Sequence, residues 1–497
     1  MTNQISRRGF LAAALASCAT PVWANAPERS LRPVARGADL IKQSLRPIDA
    51  LIQKANLGGD VAFSVAHVDT GLVLEEHNPG LGLPPASVAK ALTATYALAH
   101  LGPDFRFATK LLRTGPVENG TLRGDLILAG GGDPTLDTNG LATMAADLKA
   151  AGIHAVSGKF LVYGNAFPQE RLIDTDQPDQ VGYNPAISSL NLNYNRVHFE
   201  WKRQAKDYVV TMDARSDKYR PEVHVASMKV IDRAIPVYTY DDKGGVDEWT
   251  VARDALGNGG ARWLPVRRPA LYAAEVFQTF ARAHGIELRN PAEVEALPDT
   301  ADDILWMESA PLSDVLTDML KYSTNLTAEA VGLATTKAMQ GRPESLVASA
   351  RAMSDWARRD LGLTAVAMVD HSGLGAASRM SSADMIAVLV AARAGLGLKP
   401  LLKETPMRDE QRRAIEDHPV TVRAKTGTLN FVSGLAGYLD APDGTELAFA
   451  IFSANLDLRN ALTKEERERP PGGREWNRRA RILQQDLLDR WGVLYGT

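Results

Sequence analysis

The run Pro84-Pro85-Ala86-Ser87-Val88-Ala89-Lys90 closes an extended segment with two prolines and opens a helical one that continues to Leu101. Residues three apart on a helix share a face, so the Lys90 amine comes within reach of the Ser87 hydroxyl. A serine hydroxyl is a weak nucleophile until a base removes its proton, and a lysine kept neutral by burial can be that base. The helix start also places the Ser87 N–H at the positive end of a dipole, where a developing oxyanion is favoured. Ser-x-x-Lys alone is common, about two by chance in a chain of this length, and an N-cap serine beside an exposed lysine reads the same way.

Two further clusters lie downstream in a fixed order. Ser323-Thr324-Asn325 stands at the junction of two helical runs, where a hydroxyl can relay a proton and an amide can bind a peptide carbonyl; a plain helix cap is the competing reading. Lys425-Thr426-Gly427-Thr428 stands just before a strand expected over 431–439, and Lys-Thr-Gly should occur only about 0.1 times by chance. Its lysine and hydroxyls suit a carboxylate, and its glycine allows close approach to the backbone.

Working outward, Val61, Phe63 and Val65 alternate with small residues before a turn at Asp69-Thr70-Gly71, which predicts a hairpin. From about 109 to 265 the chain becomes β-rich, with helices near 141–151 and 270–284. Helical periodicity returns over 311–322, 326–339, 343–361 and 382–394. Strands over 431–439 and 446–453 flank Asp440-Ala441-Pro442-Asp443-Gly444, and a last helix covers about 475–491. Helix and sheet, then β, then helix and sheet predicts an α+β fold with inserted domains.

Composition is that of an ordinary globular protein: 497 residues, 45% hydrophobic, 23% charged, formal net charge -3. No basic field points to nucleic acid. Arg7-Arg8 precede a short apolar run and Ala24-Asn25-Ala26, which reads as an export signal of the twin-arginine type over 1–26. Leu15-Ala16-Ser17-Cys18 also matches a lipoprotein cleavage box, which would leave Cys18, the single cysteine, lipidated. Beyond residue 27 no apolar run approaches the ~20 residues of a membrane span. An amphipathic helix is expected over 38–57.

Taken together, the three clusters match the motif set of β-lactamases and penicillin-binding proteins. The long interval from Ser87 to Ser323 resembles the low-molecular-mass class C penicillin-binding proteins, the D-alanyl-D-alanine carboxypeptidase/endopeptidase family. Gly131-Gly132-Asp133-Pro134-Thr135-Leu136 looks like that family's Gly-Asp-Pro-Thr-Leu stretch, and Asp370-His371-Ser372-Gly373-Leu374 resembles its Asp-Gly-Ser-Gly-Leu turn. The resemblance implies a penicillin-binding/β-lactamase-like catalytic domain, an antiparallel sheet flanked by helices, with two inserted β-rich domains. The expected division is 37–105 and 302–497 for the catalytic domain, 106–164 and 266–301 for the first insert, and 165–265 for the second. It further implies Ser87 as nucleophile, Lys90 as base, Ser323 and Asn325 as relay and substrate clamp, and Lys425, Thr426, Gly427 and Thr428 along the terminal carboxylate. The oxyanion hole would be the N–H groups of Ser87 and Thr428. No metal or cofactor is expected; the implied partners are peptidoglycan stem peptides and β-lactams. Departures are His371 in place of a glycine, and Gly375-Ala376 where the family often has Ser-Arg, with Arg379 three residues later. A β-lactamase and a non-catalytic muropeptide or β-lactam sensor remain the competing readings, although no Glu-x-x-Leu-Asn element stands where a β-lactamase would activate its deacylating water.

Overall fold

A computed structural model of the chain describes residue 42, residues 45–409, residue 411 and residues 413–496. The export-signal and Cys18 expectations, and most of the helix expected from residue 38 to 47, lie outside these residues. The folded body that carries the site begins at Pro47.

The alternating run expected to be a strand is one, and both of its faces are buried. Around it the elements that carry the site, numbered among themselves, are α1 (Ile48–Ala55), β1 (Asp60–His67), β2 (Val73–His77), α2 (Ala89–His100), α3 (Leu312–Tyr322), α4 (Asn325–Gln340), α5 (Leu346–Leu361), α6 (Ser382–Gly395), β3 (Thr421–Leu429), β4 (Val432–Asp440), β5 (Glu446–Ala454) and α7 (Gly473–Tyr495). The strands form one sheet in the order β3-β4-β5-β1-β2, each neighbour antiparallel. Side chains alternate across it. Ala62, Ala66, Ala436, Ala448 and Ala450 face a core shared with Leu92 of α2, Leu316 of α3 and Leu389 of α6. These methyl-sized positions let helices approach the sheet closely. Phe63, Val65, Leu439, Phe449 and Ile451 face the opposite way, onto Leu51 of α1 and Trp476, Leu487 and Trp491 of α7. The larger side chains on this face fill the gap to a long amphipathic helix.

Buried from Ala89 to Leu98, α2 is apolar or small on every side apart from Lys90 and Tyr96, which lets it run through the middle of a core. Ser381 caps α6 by accepting from the Asp384 N–H (3.0 Å), and Ser64 of β1 meets Ser382 at 2.9 Å. Ser345 caps α5 through the Ala348 N–H, so that helix starts at Leu346 and not at Pro343.

The chain between α2 and α3 is β-rich. Its largest sheet runs 292–293, 160–163, 126–130, 108–113, 302–308, and helices Thr138–Ala150 and Pro269–Ala283 share a core with it through Leu141, Met144, Leu148 and Phe277. Two further three-stranded sheets come from residues 196–265. Strand Asp302–Glu308 pairs with Ala108–Arg113, so the sheet of the inserts extends past the expected boundary at 301. The fold is α+β: an antiparallel five-stranded sheet flanked by helices, with a β-rich inserted region. Among the described residues no helix is long and apolar enough to cross a membrane.

Trp491 is fully buried between Phe63 and Phe449, and its indole N–H donates to Glu75 Oε2 (2.9 Å). Replacing it with alanine leaves a large cavity and removes one donor from Glu75, which keeps Arg490. The expected cost is about 3–5 kcal/mol, measured as a lower thermal unfolding midpoint of the folded variant.

Candidate active site

Ser87 sits in a single 3-10 turn, Ala86–Val88, immediately before α2. Two glycines grip this turn. A Cβ on Gly427 of β3 would lie 2.7 Å from Pro85 O and 3.0 Å from Val88 N. A Cβ on Gly373, whose φ is +76°, would overlap Ala86 O at 1.9 Å. No other residue fits either position, so the glycines fix where the Ser87 hydroxyl stands.

Lys90 follows one turn later and is fully buried. Its Nζ lies 2.9 Å from Ser87 Oγ, 2.7 Å from Asn325 Oδ1 and 2.9 Å from the carbonyl oxygen of Ser372. The last two are pure acceptors and take two N–H groups. In a neutral amine the remaining tetrahedral position, the lone pair, then points at Ser87 Oγ–H. Burial pushes Lys90 down from the usual lysine range to about 8, against the opposing pull of Glu329 and Asp370. Such an amine can accept the serine proton near neutral pH.

Ser323 ends α3 in the left-handed region (φ +60°), and Asn325 opens α4. That tight junction turns both side chains the same way. Lys425 Nζ donates to Ser323 Oγ (2.9 Å) and to Thr426 O (2.7 Å). Burial drives Lys425 well below the usual lysine value, and Lys90 and Lys403 add repulsion. The three motifs are thereby joined around one cleft: Ser87 to Lys90 to Asn325 on one side, Ser323 to Lys425 on the other.

Asn325 also donates from Nδ2 to the Tyr183 carbonyl (2.8 Å), which orients its amide with Oδ1 toward Lys90. Tyr183 belongs to the inserted region. Its loop is pinned by Arg267, buried at 5% exposure, which donates to the carbonyls of Arg171, Asp179 and Asn184.

The Lys-Thr-Gly-Thr stretch lies within its own strand, β3, and not merely ahead of one. It is the edge strand of the sheet. Val422 O and Ala424 N bond outward to Thr405 N and Lys403 O, so backbone groups at even positions face the open edge. By the same alternation the Thr428 N–H points there, on the side where Thr426 O meets Lys425. The Thr426 and Thr428 side chains are exposed.

The model of the D-Ala-D-Ala carboxypeptidase 3 (S13) family matches residues 45–470. The chain belongs to this family. It is 27% identical over 445 residues, 81% of its length and 79% of the relative's, to a D-alanyl-D-alanine carboxypeptidase of Actinomadura sp. (strain R39). It is 25% identical over 420 residues, 82% of its length and 87% of the relative's, to the D-alanyl-D-alanine carboxypeptidase DacB of Haemophilus influenzae. The crystal structure of penicillin binding protein 4 (dacB) from the latter organism superposes with a TM-score of 0.72 at 22% identity, over 91% of this chain and all of that one. This S13 enzyme is thus a serine-type hydrolase of the D-Ala-D-Ala carboxypeptidase class.

Ser87, Lys90, Ser323, Asn325, Lys425 and Gly427 come together here, with Thr426 and Thr428 on the same strand as Lys425. The surroundings of the cleft hold groups the sequence reading passed over: the Tyr183 and Ser372 carbonyls and the buried carboxylate of Glu329. A lone acid in the Ala-rich run Leu326-Thr327-Ala328-Glu329-Ala330, four residues past Asn325, was the available signal. His371, which stands where the family has a glycine, lies next to Ser372 on the turn that carries the Lys90 partner carbonyl. It is fully buried, with Nε2 2.9 Å from Ser349 Oγ, and burial pushes it down to about 3, so it is neutral. Arg379 turns onto its own loop and donates to the Ala376 and Ser378 carbonyls.

Two outcomes are expected. With Lys90 as the base proposed below, acylation by a penicillin should rise about tenfold per pH unit below a midpoint near 8 and level off above it, because an ammonium cannot accept a proton; stopped-flow rates from pH 6 to 9.5 test this. Gly427→Ala should lower the acylation rate at least about a hundredfold, since its methyl cannot be accommodated without moving the Ser87 turn; the same assay measures it.

Proposed function

We propose that this enzyme removes the terminal D-Ala from peptidoglycan stem peptides through an acyl-enzyme on Ser87, also cleaves D,D cross-links, and is acylated by β-lactams at the same serine. The observation that carries the reading is the convergence of Ser87, Lys90 and Asn325 with Ser323 and Lys425 beside the open edge of β3.

Ser87 Oγ attacks the carbonyl of the penultimate D-Ala while its proton passes to Lys90. The N–H groups of Ser87 and Thr428 receive the oxyanion, and the first stands near the positive end of α2. Lys425, Thr426 and Thr428 hold the terminal carboxylate. The second hydrogen on Asn325 Nδ2, left over after Tyr183 O, binds a peptide carbonyl. Lys90 then gives up its proton, with Ser323 completing delivery to the departing D-Ala nitrogen. Water next enters, loses a proton to Lys90, attacks the ester and restores Ser87. A β-lactam follows the first half of this path. Its amide is opened but the leaving nitrogen stays tethered, so the adduct persists. No step calls for a metal or cofactor.

The same reading places the enzyme in the periplasm, exported by the signal over 1–26 or anchored through Cys18. It treats 37–105 with 302–497 as the catalytic domain, apart from strand 302–308, which pairs into the sheet of the first insert, and 106–164 with 266–301 and 165–265 as the inserts, the Tyr183 loop being the inserts' contribution to the cleft.

Incubating the mature enzyme with purified muropeptides should release free D-Ala from pentapeptides and convert cross-linked dimers to monomers, read by chromatography with mass detection. Ser87→Ala should abolish both reactions and covalent labelling by fluorescent penicillin while leaving the fold intact. Labelling that persists in that variant would refute Ser87 as nucleophile.

A further inference from the structure

The proposed mechanism uses Lys90 and leaves a second buried charge beside it without a task. Glu329 lies one turn past Asn325 on α4 and is fully buried. Its Oε2 accepts from the His371 N–H (2.8 Å) and its Oε1 from the Ser372 N–H (2.9 Å). Both oxygens are committed to one peptide turn, and the Ser372 carbonyl on that turn is a partner of Lys90 Nζ. Asp370, at the head of the turn, accepts from the Gly373 and Gly375 N–H groups. A buried acid is costly unless its charge is answered, and the opposite charge that acts on this one is the Lys90 ammonium.

We infer that Glu329 is the positioning residue of the base: it fixes the Ser372 carbonyl against Lys90 and supplies the buried negative charge that governs how tightly Lys90 holds a proton. This rests on Lys90 acting as the base toward Ser87. The groups facing Lys90 are Glu329 from α4, Asp370 and the neutral His371 from the turn, and Lys425 from β3; Asp174 of the inserted region acts on Asp370. Burial and Asp370 push Glu329 up while burial pushes Lys90 down, so the two share one titration as a pair.

Glu329→Gln keeps the shape, removes the charge and turns an amide N–H₂ toward a backbone N–H. With that charge gone, burial and Lys425 act on Lys90 with less opposition, and it loses its proton at lower pH. The test is the penicillin acylation rate against pH for the full mature chain. Glu329→Gln is expected to lower the plateau rate at least about thirtyfold and to move the acid limb down by about half a pH unit or more. Glu329→Asp, which keeps the charge on a shorter arm, should lower the rate with the limb in place. A merely structural defect would slow acylation without moving the limb. An unmoved limb in Glu329→Gln, or a rate within about threefold of the parent enzyme, overturns the inference. If the parent enzyme itself is not acylated at Ser87, it is the assignment of Ser87 and Lys90 that fails. Should Glu329→Gln not fold, the pair Glu329→Gln with Lys90→Met, which removes both buried charges, is expected to regain a cooperative thermal transition; a double variant no more foldable than the single one overturns the inference as well.

Discussion

The amine of Lys90, held away from water among Ser87 Oγ, Asn325 Oδ1 and the Ser372 carbonyl, is the constraint that orders the rest of the molecule. A lysine in water stays protonated at neutral pH and cannot take a proton from a hydroxyl. Burial removes that preference, but burial of an ammonium is itself expensive, and each surrounding element answers part of the cost. The small residues of α2 and of the facing sheet let the helix run deep enough to carry the amine out of solvent. The start of α4 supplies one carbonyl oxygen, and the turn after α5 supplies another. Glu329 and Asp370 supply charge from beneath that turn.

The same logic explains the glycines around the nucleophile. Gly373 and Gly427 are spacers, one on either side of the Ala86–Val88 turn, and they close the distance between three separate segments until the backbone of one meets the backbone of the next. The inserted region takes part as well. Its Tyr183 carbonyl turns the Asn325 amide, and the loop carrying it is bound from behind by Arg267 and from the front by Lys464 with Asp179 and Arg467 with Asp176. A β-rich body joined to the sheet-and-helix body thus sets the orientation of a side chain in the cleft.

Much of this was legible in the order of residues. The period-2 alternation of 61–66 is a strand, the loop at 440–444 is a hairpin, and the helices fall where apolar spacing placed them. The errors are local and share a cause. Ser345, through its hydroxyl, starts α5 at Leu346, three residues after Pro343, and strand 302–308 pairs with a strand nearly two hundred residues earlier, a pairing that no local pattern encodes. Glu329 went unread because one acid in a helical run resembles a solvated position until the turn above it is known.

The chain's own order of residues settled the chemical vocabulary: a hydroxyl and an amine one helical turn apart, a Ser-x-Asn at a helix junction, a Lys-Thr-Gly-Thr strand. These are short-range facts, set by helix pitch and turn preference, and they survive without knowledge of the fold. Tertiary structure alone determined that Lys90 is dry, that Asn325 presents its oxygen to it, that Thr428 faces an open edge, and that two carboxylates stand behind the base. Proton affinity and hydrogen-bond direction depend on what surrounds an atom in space, and those surroundings come from segments far apart along the chain.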